Sequence, residues 1–421
     1  MQIRIPHDSF FKIDLSKFYL IDKKGIVTAC FYVGMLIVYY GSLHPWFMWP
    51  LKELYVIPAA VMLIISYLVS NSMKETLFSH VDYIWPIVLY VILSYYIVIE
   101  ENSNVNGYIG NIFSVIVFYV LLRTNHGTLR KLSTIISKSM AILLIVSMFF
   151  FLLYLFGFNL PYRDAVFGDN QYSFTNYYFF MIDDRFMLVL IPRFQSFFLE
   201  PGHLGSATTV LLMTQIGKWK RWWNVVLIIA SVMTFSLAAY GLLIVLVFLN
   251  QWVQHKNVVK LLVVPIIGMA LVVGGAMVYN DGDNMVNNLI LSRLEIDETT
   301  GDIVGNNRVD KDFKKEFDKY IVSSDVFFGR NMKTTVGEGT GNSGYRVFIY
   351  QYGLVGLFLL ILFYGFSFRG YVDIRYLMVA IIISILIFWI RAYPLWYSNY
   401  IPILVTAYGK WKESDLNRGM I

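Results

Sequence analysis

Arg193-Phe194-Gln195-Ser196-Phe197-Phe198-Leu199-Glu200-Pro201-Gly202-His203-Leu204-Gly205 joins a polar segment, Pro161 to Arg185, to an apolar one running from Leu204 to Gly217. Pro201 has no backbone N–H and a φ of about −65°, which suits the first turn of a helix with Glu200 just ahead of it. A carboxylate and an imidazole then stand at a helix N-terminus, where backbone N–H groups lack intrahelical partners and the macrodipole is positive. Arg193 lies seven residues upstream of Glu200. If the helix enters a membrane here, the chain places a cation, a carboxylate and a histidine at the rim of a bilayer. Such groups are costly there, and the cost marks a candidate site.

Composition supports the membrane reading. The 421 residues are 57% hydrophobic and 15% charged, and the mean hydropathy is +0.59. Soluble domains carry about 25% charged residues, so this chain cannot hide its apolar surface in water. The net charge of +6 comes from basic residues scattered in short loops, which points to membrane orientation and not to nucleic acid. A single cysteine, Cys30, excludes an intrachain disulfide. The polar, basic stretch Met1 to Lys24 does not read as a cleavable signal peptide.

Apolar windows fall at 26–43, 54–70, 83–99, 108–122, 139–160, 202–217, 222–236, 238–252, 258–279, 346–367, 375–390 and 394–409. They predict an all-α polytopic membrane protein, a single membrane domain over 1–421 with about 12 transmembrane helices. Several windows are shorter than the ~20 residues of a perpendicular span. Ser236 and the Ala238-Ala239 pair favour two short helices over one long one in 222–252. With that split, Lys74, Arg123, Arg130, Lys131, Lys138, Lys218, Lys220, Arg221, Lys256, Lys260, Arg369 and Arg375 fall on one side with both termini. The positive-inside rule makes that side cytoplasmic.

Two long extracytoplasmic loops are expected, 161–200 and 280–345, the later one large and partly helical. In it, Arg308 to Ser323 reads as an amphipathic helix with Val309, Phe313, Phe317, Tyr320 and Ile321 on one face. Packing on the protein and lying on the outer leaflet both suit such a face, and Asp310 precedes Lys314 in the favourable i,i+4 order.

Gly339-Thr340-Gly341-Asn342-Ser343-Gly344 matches the dinucleotide-binding spacing in letters, but no strand precedes it and no βαβ unit surrounds it. Asp281-Gly282-Asp283 reads as turn chemistry. A metal there would need further oxygen ligands, from Asp297, Glu298 or Asp302, and none is expected. No zinc-protease or serine-hydrolase motif is present. Arg193, Arg346 and Arg391 each abut a predicted helix end on the outer face. Snorkelling accounts for one such residue. A cluster of planar guanidinium groups suits a diphosphate.

These features resemble the O-antigen polymerase and ligase superfamily over roughly 110 to 370. The likeness rests on Arg-x(6)-Glu-Pro-Gly at 193–202, Met233-Thr-Phe-Ser236 at a helix pair, a large late loop, and Tyr350-Gln351-Tyr352-Gly353-Leu354-Val355-Gly356 after it. The resemblance implies a glycosyltransferase on the outer face of the bacterial cytoplasmic membrane, without cofactor. Its donor and acceptor would be undecaprenyl-diphosphate-linked oligosaccharides, used to build O-antigen, capsule or exopolysaccharide. Membrane lipid and a chain-length regulator protein are the other partners it suggests, and no nucleic acid. Ligases of this superfamily carry a histidine just before the late helix, where this chain has Asn342-Ser343-Gly344-Tyr345-Arg346, so the polymerase reading leads. The family's loop arginine falls on Arg193 and its Glu-Pro on Glu200-Pro201. Arg193 and Glu200, with His203 from its place at the helix start, are the catalytic candidates; Arg193, Arg346 and Arg391, the last two from their places at outer helix ends, are the diphosphate-binding ones. A ligase and a lipid-linked oligosaccharide flippase are the alternatives.

Overall fold

The computed structural model describes residues 23–72, 84–99, 105–167, 172–184, 192–254, 311–330 and 344–409, with isolated positions between 267 and 284. The chain is mostly helical. We label the helices α1 (Lys23–Gly41), α2 (Val56–Ser72), α3 (Ile84–Ile99), α4 (Val105–Arg123), α5 (His126–Leu155), α6 (Pro201–Thr214), α7 (Trp222–Met233), α8 (Leu237–Gln254), α9 (Lys311–Tyr320), α10 (Gly344–Ser367), α11 (Ile374–Ile390) and α12 (Tyr397–Ala407). Among the described residues three helices are long and apolar enough to cross a membrane, or four if α1 and the segment bent 92° from it count as one broken span. Several shorter apolar helices accompany them, as a membrane protein requires.

Small residues set the closest packing. A Cβ on Gly34 of α1 would lie 3.1 Å from the Ala59 carbonyl oxygen, so glycine lets α1 and α2 approach at backbone distance. Helix α5 starts well before the expected window at 139, because the Asn125 side chain accepts the Thr128 N–H at 2.7 Å and caps it. Its 30 residues make about 45 Å of helix, longer than a bilayer core of about 30 Å.

The 222–252 stretch breaks as its small residues indicate. Helix α7 ends at Met233, Phe235 takes a left-handed φ of 45°, and α8 begins at Leu237. The 258–279 window lies outside the described residues but for isolated positions.

The all-α expectation needs correcting in the first long loop. Residues 163–183 form a three-stranded antiparallel sheet, β1 (Arg163–Phe167), β2 (Tyr172–Asn176) and β3 (Met181–Asp183), in the order β1-β2-β3. Arg163 pairs with Asn176, and Asn176 in turn with Met181. The tight β2–β3 turn is held by the Asn176 side chain, which accepts the Tyr178 N–H at 2.8 Å. Phe174, Met181 and Leu199 make a small second core against Trp46, Trp49 and Phe167. Trp46 and Trp49 belong to a 3₁₀ segment, Trp46–Tyr55, that continues α1 after the bend and that no apolar window announces.

Helix α9 covers part of the amphipathic segment expected over 308–323. Its apolar face packs on the protein: Phe313 and Tyr320 are buried, with ring centroids 5.5 Å and 4.7 Å from Tyr350 of α10. Ile321 is exposed, whereas Val309 and Asp310 lie outside the described residues. Beyond it, Arg330 bridges Glu316 at 2.9 Å and Asp325 at 2.7 Å. Of the glycine-rich motif only Gly344 is described, and Asp283, Asp297, Glu298 and Asp302 are not.

The Gly353 backbone inside α10 has φ 66°, a left-handed value that kinks the helix. A Cβ there would overlap the Phe327 carbonyl. Gly353→Ala should therefore cost at least ~1 kcal/mol in backbone conformation alone, with the overlap added. Lower thermal stability of the purified variant is the expected reading.

Candidate functional site

Helices α6 and α12 form the centre of the molecule. Every residue of α12 is buried, and so is every residue of α6 apart from Gly202 and Ser206. Their 14 and 11 residues make about 21 and 16 Å of helix, well short of a span. Their N-termini meet where α1 and α11 end. Glu200 is the N-cap of α6, extended at φ −141°, with Pro201 in the first turn as the sequence predicts. Trp396 is the N-cap of α12, and its ring meets the His203 imidazole edge-on at 5.2 Å. Ser42, at the end of α1, accepts the Ser398 N–H at 2.9 Å and satisfies one N-terminal donor of α12.

Arg391, the C-cap of α11, is the cation delivered to this point. Its Nη2 donates to Glu200 Oε2 at 2.8 Å, and the arginine side chain is only 8% exposed. His203 Nε2 lies 3.8 Å from the same carboxylate oxygen. The other oxygen, Oε1, faces the Tyr172 hydroxyl of β2 at 3.5 Å. Glu200, His203 and Arg391 therefore form one cluster, closed on the sheet side by Tyr172.

Aromatic rings complete a circuit around it. Tyr393 stacks on Trp396 at 4.6 Å with planes 6° apart, and His44 lies 5.1 Å from Trp396. His44 leads to Phe167 at 6.1 Å, Phe167 to Trp49 at 5.0 Å, and Trp49 to Phe174 at 5.7 Å. Phe174 stacks on Tyr172 at 6.2 Å, which returns the circuit to Glu200. Such faces suit sugar rings, whose C–H bonds pack against π systems. Among the described residues, this end of the molecule is built by 42–55, 163–167, 172–184, 192–200, 234–236 and 391–396.

The sequence reading sets Arg193 beside Glu200 as a catalytic candidate and beside Arg346 and Arg391 as a diphosphate-binding one. The structure pairs Glu200 with Arg391, while Arg193 Nε donates to the Thr234 carbonyl at 3.2 Å. Thr234 is the C-cap of α7, where carbonyls lack helical donors and the dipole is negative, so a guanidinium is well placed there. The backbone reinforces the join, since Phe194 N–H donates to Met233 at 3.2 Å. Arg193 thus fixes the loop 192–200 to the α7–α8 break, and the loop presents Glu200. Further along the loop, Met181 donates to Ser196 at 2.8 Å and Trp46 to Phe197 at 3.1 Å.

Arg346 lies in the first turn of α10, its Nε donating to the Tyr345 hydroxyl at 3.2 Å and its guanidinium 6.0 Å from the Phe317 ring. The Tyr345 ring is 4.8 Å from Trp389, two residues before Arg391. A Cβ on Gly344 would overlap the Trp389 carbonyl, so the start of α10 lies hard against the end of α11. Arg346 flanks the site without joining the carboxylate cluster.

Sequence reasoning missed Tyr172, Trp396, Tyr393 and His44 as members. The first had a signal in the alternating Tyr172-Ser-Phe-Thr-Asn176, which reads as a strand. Among the described residues no group of three His, Cys, Asp or Glu side chains could hold a metal. Comparison with protein-family models, curated proteins and solved structures finds no match to this chain.

Proposed function

We propose that the chain is a glycosyltransferase of about twelve spans that joins lipid-diphosphate-linked oligosaccharide repeat units. We place its site on the outer face of the bacterial cytoplasmic membrane and both termini inside. The observation that carries the reading is the Glu200–Arg391 pair with His203 at two converging helix N-termini, ringed by aromatic side chains. A sugar hydroxyl of the acceptor attacks the anomeric carbon of the donor. The carbon–oxygen bond to the diphosphate breaks, and the electron pair leaves with the phosphate oxygen.

Arg391 offers guanidinium N–H groups to that growing charge, and the positive ends of α6 and α12 add to it. Glu200 receives the hydroxyl proton or orients the hydroxyl. With Oε2 engaged by Arg391, Oε1 is the oxygen turned toward Tyr172. His203 stands close enough to share that role.

One observation favours a second reading. Short, buried helices with N-termini facing an anion are a device of solute transporters. Reconstitution separates the two. Proteoliposomes supplied with lipid-linked repeat units should yield longer glycans if the chain is a polymerase. Repeat units that change leaflet without lengthening would replace this reading with the flippase one, and glycan moved onto a lipid A core would replace it with the ligase one.

A further inference from the structure

Helices α10 and α11 diverge below their tight contact at Gly344 and leave an apolar groove of about 440 Å³, walled by Leu357, Ile361, Ile385 and Phe388. Its few polar groups are already engaged. The Ser384 hydroxyl donates to Ala380 at 2.6 Å, and the Tyr364 hydroxyl donates to the Pro394 carbonyl at 2.7 Å. The groove is open along one side, where Ile361 and Ile385 are 60% and 58% exposed. In a bilayer that side meets hydrocarbon.

Phe388 and Pro394, both part of the groove wall, stand three residues before and three after Arg391. The apolar channel therefore runs up to the link that carries the buried guanidinium. A greasy trough that reaches the link bearing a buried cation, where two positive helix ends meet, has the form of a site for an amphiphile with an anionic head. We infer that this groove holds the polyprenyl chain of the lipid-diphosphate donor, with the diphosphate at Arg391. This rests on the proposed function for the identity of the lipid.

Gly365 makes the test clean. Gly365 lines the groove and no heavy atom lies within 4 Å of a Cβ placed there, so Gly365→Leu adds bulk at the groove wall with room for its Cβ and replaces a glycine in a helix by a better helix former. The probe is a polyprenyl diphosphate with a photoreactive diazirine at mid-chain, applied to the full chain in phosphatidylcholine nanodiscs. Peptide mapping should place the label on residues 357–368 and 381–388. Unlabelled polyprenyl diphosphate should compete for it, and Gly365→Leu should lower it about tenfold, the effect of a modest loss of binding. A diazirine phospholipid that labels the same peptides equally, or polyprenyl label that falls elsewhere, would overturn the inference. Expected labelling without glycan lengthening would sink the polymerase reading and leave the groove standing. Lengthening with label elsewhere would do the reverse.

Discussion

On the proposed glycosyl transfer, replacing Arg391 by lysine will leave the protein in the membrane at normal amount and lower glycan lengthening about 10²–10³-fold, the usual cost of removing one preorganised donor. Lysine keeps the positive charge and can still meet Glu200, so the fold has little reason to fail. It loses the planar fork, which lets one guanidinium hold Glu200 with Nη2 and still present N–H groups to a phosphate. Polymer length on gels from cells carrying the variant, set against protein level in the same membranes, reads both quantities. Activity near that of the parent chain would mean that Arg391 only balances Glu200. The matching change at Arg193 should act by another route, since that side chain holds the loop to Thr234.

The second large effect concerns stability. Glu200→Ala leaves a guanidinium that is 8% exposed without its carboxylate, and breaking such a pair costs about 3–5 kcal/mol when both partners are buried. Glu200 is 25% exposed, so the loss should fall toward about 3 kcal/mol. Exchanging both residues, Glu200→Met with Arg391→Met, removes the stranded charge together with its partner, and thermal stability should return close to that of the parent chain. Glycan lengthening should not return. Thermal unfolding of the three proteins in one detergent separates these outcomes. A double variant as unstable as Glu200→Ala would show that the pair holds the fold through contacts other than its own charge.

The sequence made the helix at Pro201 and its acidic cap legible because proline, an acid and an apolar run are local signals. The break at 234–236 was legible for the same reason. The pairing of Glu200 was not. Arg193 is near it in sequence, but Arg391, which donates to its carboxylate, is 191 residues away, and no periodicity reports a contact of that range. The sheet was hidden by polarity: Arg163, Asp164, Asp183 and Asp184 make the loop look solvated. Its core is only Phe174, Met181 and Leu199, closed by tryptophans from a distant segment. Windows of apolar residues place α6 and α12, yet do not say that both stop short of a span and turn their N-termini to one point.

That long separation bears on how the protein is made. At about 5–20 residues per second, Arg391 leaves the ribosome roughly 10–40 s after Glu200, given the 191 residues between them. Through that interval the carboxylate lacks the guanidinium that α11 delivers. The Glu200–Arg391 pair, and with it the cluster at the two helix N-termini, therefore closes only after α11 has been made.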